Sequence, residues 1–291
     1  MELKANWMRA LVCGAATLLL FGGDPAKADI TSFDIGFNLE NNQTGPSTVS
    51  PYGTFFSVYA YIPAAGDYTT GTLTYPGPGS PQTLSPGDFA GPNVFYQTPY
   101  LADQAALDAA YPFGTYTGQA SGGTGTPQPS SSVGIDYTAG AYGNTPALTA
   151  GSYSALQGLN PALSDTVNFN AFTPNVDANL SYIFFNVYDV GTGTDVFADN
   201  FLSPSTTSLV IPGNTLAANT AYSYELIFDD RIEGTDTNGS GIATQQEFDT
   251  RTFGDFTTGS ASVPEPSSMA LGLTVLGFMA HRLRRRCVRK S

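Results

Sequence analysis

The segment between the two chain ends lacks four residue types. From Asp29 to Ser262 there is no cysteine, no histidine, no lysine and no tryptophan. Without histidine or cysteine there is no nucleophile–imidazole pair, no thiolate or imidazole ligand for zinc, and no such ligand for haem. Without lysine there is no Schiff-base chemistry. We therefore expect a protein that is not an enzyme and has no cofactor, since paired Asp and Glu carboxylates are the remaining route to catalysis.

Positive charge is also scarce in this segment. It holds 21 Asp and Glu residues against two arginines, Arg231 and Arg251, which gives 2 − 21 = −19. Nonspecific binding of nucleic acid needs cations facing the phosphates, so we expect no nucleic-acid partner. An acidic polysaccharide would be repelled as well, unless a divalent cation bridges the two surfaces.

The residues that are present predict an all-β fold. Because there is no cysteine to form disulfides, the segment must be stabilised by buried apolar surface, and its length suffices for one or two domains. Apolar and polar residues alternate over residues 33–39, which is typical of a strand with one buried face. Residues 55–62 are apolar on both faces and predict a central strand. Residues 101–110 predict the one helix of the segment.

The second half shows strand-like segments at the spacing of a β-sandwich. They are residues 167–172, 180–190, 196–202, 208–211, 221–228 and 248–257.

Part of this half carries a known pattern. Residues 207–212, Leu216 and residues 219–224, with the sequence Asn-Thr-Ala-Tyr-Ser-Tyr, resemble the fibronectin type III and wider immunoglobulin-like families. The resemblance implies a β-sandwich and no particular activity.

These patterns predict two β-sandwich domains, residues 29–145 and residues 146–258, with a single large two-sheet domain as the alternative. The Gly-, Ser-, Thr- and Pro-rich residues 118–132 are then a long flexible loop of the first domain.

The N-terminus has the features of a signal peptide. Lys4 and Arg9 precede the apolar residues 10–21, and Ala26 and Ala28 place small side chains at the −3 and −1 positions. We therefore predict that residues 1–28 form a signal helix that signal peptidase removes after Ala28. An uncleaved N-terminal anchor is the alternative.

The C-terminal residues 259–291 have three parts in order. The motif Val263, Pro264, Glu265 and Pro266 is followed by an apolar segment, residues 267–281, and a basic tail, residues 282–291. The prolines keep the motif extended, and the cations of the tail resist translocation. This arrangement resembles the PEP-CTERM sorting signal of Gram-negative bacteria.

That resemblance implies a short transmembrane helix that anchors the protein transiently in the inner membrane. It further implies cleavage by an exosortase and delivery to the cell surface or the extracellular matrix. An anchor that is never cut is the alternative.

One loop has the ligand spacing of an EF-hand calcium loop. With Asp236 as position 1, oxygen ligands fall at positions 1, 3, 5, 9 and 12, and a glycine falls at position 6. The five predicted ligands are Asp236, Asn238, Ser240, Thr244 and Glu247. The flanking segments predict strands instead of helices, and the alternative is an ordinary turn between two strands.

Asp229, Asp230, Arg231 and Glu233 form the densest charge cluster of the sequence. Adjacent residues of a strand face opposite sides, so the two aspartates should not converge. We expect residues at a strand end that reach solvent, with Arg231 as a local counter-ion.

Three functions follow from these patterns. The leading hypothesis is an exported structural or adhesive protein associated with exopolysaccharide or biofilm, with signal peptidase, an exosortase and an extracellular polysaccharide as partners. The second is a carbohydrate-active hydrolase, which would need a carboxylate pair about 5 or 6.5–9.5 Å apart. The third is a calcium-dependent binding module.

Overall fold

The described strands and helices lie between Ser32 and Thr257. A computed structural model describes residues 30–88, 90–123, 131–137, 142–237, 239 and 241–261. The predicted signal peptide, its cleavage site and the C-terminal sorting signal lie outside the described residues. Within the described ranges, no helix is long and apolar enough to cross a membrane.

Thirteen strands and two short helices make up the described part of the chain. In chain order they are β1 Ser32–Gly45, β2 Thr48–Tyr61, β3 Thr70–Thr74, β4 Gln82–Gly87, β5 Asn93–Gln97, α1 Gln104–Ala110, β6 Gly114–Ser121, β7 Ser131–Tyr137, α2 Ala150–Leu156, β8 Asp165–Asn168, β9 Leu180–Asp189, β10 Asp195–Leu202, β11 Ser208–Ile211, β12 Ala221–Thr235 and β13 Ala243–Thr257.

Eleven of the strands form one continuous sheet. Their order is β10-β9-β12-β13-β1-β2-β5-β4-β3-β6-β7, and β8 pairs with β11 in a second, two-stranded sheet. Neighbouring strands pair antiparallel with one exception: β1 and β13 run parallel, with Phe37 opposite Phe248. The first strand of the chain, β1, and the last, β13, therefore lie side by side.

A first core fills the space between β1, β2 and the strands β3, β6 and β7. The predicted alternation of β1 is confirmed, because Phe33, Ile35 and Phe37 are fully buried in this core. Phe37 stacks on Tyr137 of β7 with ring centroids 4.4 Å apart. It also stacks on Phe248 of β13 at 5.3 Å. The last strand thus adds Phe248 to a core whose other buried residues come from the first half of the chain, with Ile232 and Ile242 packed against it.

A second core lies between the large sheet and the two-stranded sheet. Phe185 of β9 and Tyr224 of β12 face Val167 of β8 and Leu209 of β11 across it. These facing layers make the second half a β-sandwich, as the strand spacing predicts.

Both cores lie on the same side of the large sheet. Phe248 belongs to the first core and Phe256 to the second, and both are on β13 at an even spacing, so their side chains share one face. The large sheet contains strands from both sides of residue 145, where the sequence predicts a boundary between two domains.

Several predicted boundaries differ from the observed ones. The predicted helix 101–110 begins only at Gln104, because the Asp103 side chain accepts a hydrogen bond from the Ala106 amide and caps it there. The predicted loop 118–132 is shorter, since β6 continues to Ser121 and pairs with β7 through residues 131–137. Helix α2 was not predicted, and β12 extends seven residues beyond the predicted end at Phe228.

Candidate functional site

The face of the large sheet opposite the two cores carries buried charges. We call six of these residues the charge cluster: Glu225, Asp229 and Arg231 of β12, and Glu247, Asp249 and Arg251 of β13. In each strand they follow the two-residue alternation that places them on the face away from Phe228 and Phe248. The β12–β13 register sets Asp229 opposite Asp249 and Arg231 opposite Glu247.

Arg231 pairs with two carboxylates of the charge cluster, those of Asp229 and Glu247. Its Nε donates to Asp229 Oδ2 at 2.6 Å, and its terminal nitrogen lies 3.0 Å from Glu247 Oε1. The guanidinium also lies over the ring of Tyr182, 5.6 Å from the ring centroid. The arginine is thus held on three sides, which fixes the two carboxylates that it contacts.

Arg251 pairs with the other two carboxylates of the charge cluster, those of Glu225 and Asp249. One terminal nitrogen donates to Glu225 Oε1 at 3.2 Å, and the other contacts Asp249 Oδ2 and donates to Asn38 Oδ1 at 3.1 Å. Tyr188 donates its hydroxyl to Glu225 Oε2 at 2.8 Å. Residues of β1, β9, β12 and β13 therefore join in one network.

Three carboxylates of the charge cluster converge on one point. One oxygen each from Asp229, Glu247 and Asp249 lies within 4.8 Å of the other two. Asp229 and Asp249 have side chains that are 0% and 2% exposed, whereas Glu247 is 22% exposed. The Oδ1 atoms of both aspartates are buried and accept no hydrogen bond. The two arginines therefore leave one buried oxygen of each aspartate without a hydrogen bond.

Burial and mutual repulsion raise the pKa values of two of these acids. Burial raises the pKa of Asp229 well above its usual range, the charges of Asp249 and Glu247 raise it further, and Arg231 opposes both. Burial and the charge of Asp249 raise the pKa of Glu247 to about 7, against the attraction of the two arginines. Directly opposed like charges destabilise a strand pair, so the cluster favours bound positive charge, either protons or a cation.

The spacing of these carboxylates resembles that of a retaining glycosidase, but their burial does not. Such enzymes hold two carboxyl groups about 5–5.5 Å apart on either side of a sugar bond. Here Asp229 and Asp249 are closed off from solvent, so a sugar ring could reach Glu247 alone. This cluster therefore does not provide the pair of accessible carboxyl groups that a glycosidase needs.

Among the described residues of the predicted calcium loop, the structure separates Glu247 from Asp236. Asp236 Oδ1 accepts from the Gly241 amide at 3.1 Å, so this end forms a closed hairpin turn. Thr244 and Glu247 lie within β13, opposite Gly234 and Arg231. Glu247 is four residue pairs from the end of the ladder, roughly 13 Å along the strand. The predicted ligands Asn238 and Ser240 lie outside the described residues.

The expectation that the Asp229–Glu233 segment reaches solvent at a strand end is wrong for its first three residues. Because β12 continues to Thr235, Asp229, Asp230 and Arg231 lie inside the strand and are buried. The prediction that the two aspartates do not converge is confirmed. Asp230 turns to the other face, where it accepts hydrogen bonds from the Ser181 hydroxyl and the Asn175 amide. Arg231 is the expected counter-ion.

The sequence indicates the two charged strand faces of the charge cluster, but it does not indicate which residues of the two strands pair. Charged residues at two-residue spacing, 229 and 231 and again 247, 249 and 251, indicate one charged face on each of two strands. These two faces meet only through the β12–β13 register, which depends on the part of β12 beyond its predicted end at Phe228.

No family model matches the chain, and no curated protein matches it. The chain is similar to a solved structure titled biofilm associated protein, BSP domain, at 12% identity and a TM-score of 0.21. The matched region covers 79% of this chain but 30% of the length of the biofilm associated protein chain. A second match, the FN1–FN3 domains of chicken CNTN1, has 9% identity and a TM-score of 0.23, covering 78% of this chain and 67% of the other. The sandwich described above rests on its own strand pairing and core.

Proposed function

We propose that this chain is an exported, non-catalytic structural or adhesive protein of the bacterial cell surface or extracellular matrix. In this proposal an exosortase sorts it, and it associates with exopolysaccharide. The observation that carries the proposal is the charge of its exterior.

The exterior of the described residues carries negative charge alone. Arg231 and Arg251 are the only cationic side chains in these ranges, and both are held in ion pairs on the sheet face. Acidic side chains remain at the surface in both halves, for example Asp88, Asp108 and Asp177. A surface of one sign keeps a protein soluble and repels nucleic acid and anionic membranes. This property suits a protein that is released outside the cell.

The same exterior restricts the polysaccharide that the protein can contact. An acidic polymer would be repelled, whereas a neutral one, or an acidic one bridged by divalent cations, would not. The sorting step itself is supported by the terminal sequence motifs, and the immunoglobulin-like assignment of residues 146–258 by the sandwich layers and the Asn219–Tyr224 segment.

The test of the sorting step is mass spectrometry of the mature protein from its native host. We expect an N-terminus at Asp29 and no peptide from residues 282–291. Replacing both Pro264 and Pro266 with alanine should leave the full-length form in the membrane fraction, because the motif loses its fixed extended backbone. Ser267→Ala, directly beyond the motif, is the matched control and should be processed normally. Recovery of the arginine-rich peptide from the mature wild-type protein would contradict the proposal.

A further inference from the structure

We propose that the charge cluster binds one divalent cation through Asp229, Glu247 and Asp249. This site shares Glu247 with the predicted calcium loop but takes its other two ligands from the centre of the β12–β13 ladder. This inference does not depend on the proposed function, since it concerns the folded sheet and not the sorting of the chain.

The first argument is the charge balance of the site. Four carboxylates, those of Glu225, Asp229, Glu247 and Asp249, share the guanidinium groups of Arg231 and Arg251. With all six groups ionised the cluster has a net charge of −2, and the neighbouring β1 acids Asp34 and Glu40, which interact electrostatically with Glu247 and Asp249, add further negative charge when they are ionised. Charges buried in a sheet are stable only when they are paired, so this deficit needs a positive partner.

The second argument is the unpaired oxygens. Asp229 and Asp249 each turn Oδ2 to an arginine and keep a buried Oδ1 that accepts no hydrogen bond. An ionised carboxylate oxygen can only accept, and leaving it buried without a donor is costly. A cation between the converging carboxylates would use these oxygens and leave both arginine contacts in place.

The third argument is the rigidity of the ligands. Asp229 and Asp249 are opposite one another in a regular antiparallel ladder, and each is oriented by an arginine. Outer contacts of this kind fix the ligating carboxylates of metal sites. Glu247 is partly open to solvent, which leaves room for water ligands. An all-oxygen ligand set suits Ca²⁺, whose coordination geometry is flexible, better than Mg²⁺, which demands a near-ideal octahedron.

The experiment measures Ca²⁺ binding to the full-length chain after treatment with a chelator. We expect one binding event per chain by calorimetry and a rise in the melting temperature with Ca²⁺ concentration, because the ion binds the folded state. Asp249→Asn should weaken binding at least about tenfold, and Asp229→Asn should do the same. Glu233→Gln, an exposed acid on the same β12 strand, is the matched control and should bind like the wild type.

A further variant separates this site from the predicted loop. Asp236→Ala removes the first ligand of that loop and leaves the charge cluster intact, so it should not change the affinity. Terbium luminescence, excited through the tyrosines and displaced by Ca²⁺, gives a reading on the wild-type chain alone in case an aspartate variant fails to fold. No binding heat, melting shift or terbium signal in the wild type would overturn the proposal. The proposal would also be overturned if the Asp236 variant lost Ca²⁺ binding while Asp249→Asn retained it.

Discussion

At the scale of single residues, Gln43 connects β1, whose apolar side chains lie in the first core, to two residues of the second core. Its Oε1 accepts from the Leu148 amide and from the Tyr224 hydroxyl, both at 2.9 Å, and its Nε2 donates to the Leu148 carbonyl at 3.0 Å. The side chain is buried, so each of these polar atoms depends on it for a partner. One amide group therefore pairs β1 with the segment that leads into the second core and with β12.

Replacing Gln43 with alanine should destabilise the fold. The change leaves the Leu148 amide and the Tyr224 hydroxyl buried without partners, and we expect a loss of about 2–4 kcal/mol in the free energy of unfolding. Denaturant titration followed by circular dichroism measures this loss. Gln157→Ala, which removes an exposed hydrogen bond to the Asp255 carbonyl, is the control and should cost about 1 kcal/mol or less. Equal losses in the two variants would contradict the role of Gln43.

At the scale of elements, the sequence predicts the strands better than their ends. The predicted bounds of β11 are confirmed, and β9 differs from its prediction by one residue, because apolar alternation and flanking turn residues mark both strands. The predicted end of β12 is too early, because Asp229, Asp230 and Arg231 resemble a polar loop when the partners that neutralise them are not known. Helix α2 has no apolar periodicity of its own and depends on Thr149, whose side chain caps the Ser152 amide.

The candidate site was predicted in part. Sequence patterns indicate Asp229, Arg231 and Glu247, but in two separate features, and they do not indicate Asp249 as a ligand. The missing information was the β12–β13 register, since residues 229 and 249 meet only when the hairpin continues beyond Phe228. Local sequence patterns do not contain that pairing.

The β12–β13 pairing also depends on one small residue. Gly254 lies opposite Tyr224, and a Cβ atom added there would approach the Tyr224 hydroxyl oxygen and ring to about 2.4–2.5 Å. Gly254→Ala should therefore force the tyrosine to move and cost about 1–3 kcal/mol, measured by thermal unfolding. Gly151→Ala is the matched control: no heavy atom lies within 4 Å of its added Cβ, and α2 should gain helix propensity. A neutral effect at Gly254 would show that Tyr224 is not confined.

At the scale of the whole molecule, two cores share one sheet. The sequence predicts two sandwich domains, residues 29–145 and 146–258, but β13 supplies Phe248 to the first core and Phe256 to the second. The parallel pairing of β1 with β13 crosses the predicted boundary over eleven residue pairs, from Ser32 opposite Ala243 to Asn42 opposite Phe253. We infer that the halves are coupled through this strand.

The coupling predicts a single unfolding transition. Phe248→Ala and Phe256→Ala should each cost about 3–5 kcal/mol and lower the same midpoint in scanning calorimetry, with the calorimetric enthalpy equal to the van't Hoff enthalpy. Val176→Ala, at a fully exposed apolar side chain, is the control and should leave the midpoint unchanged. Two transitions, one lowered by each phenylalanine variant, would instead establish two independent domains.

The parallel pairing of the first and last strands also sets the direction in which the molecule bears load. Strand β1 starts at the end of the sheet where β13 starts, and β13 leaves at the other end, about 50 Å away. Tension applied between the two chain ends therefore pulls β1 and β13 along their length in opposite senses. The hydrogen bonds of that ladder are sheared together instead of being unzipped one at a time, which is the mechanically resistant orientation for a protein held at one end and pulled at the other.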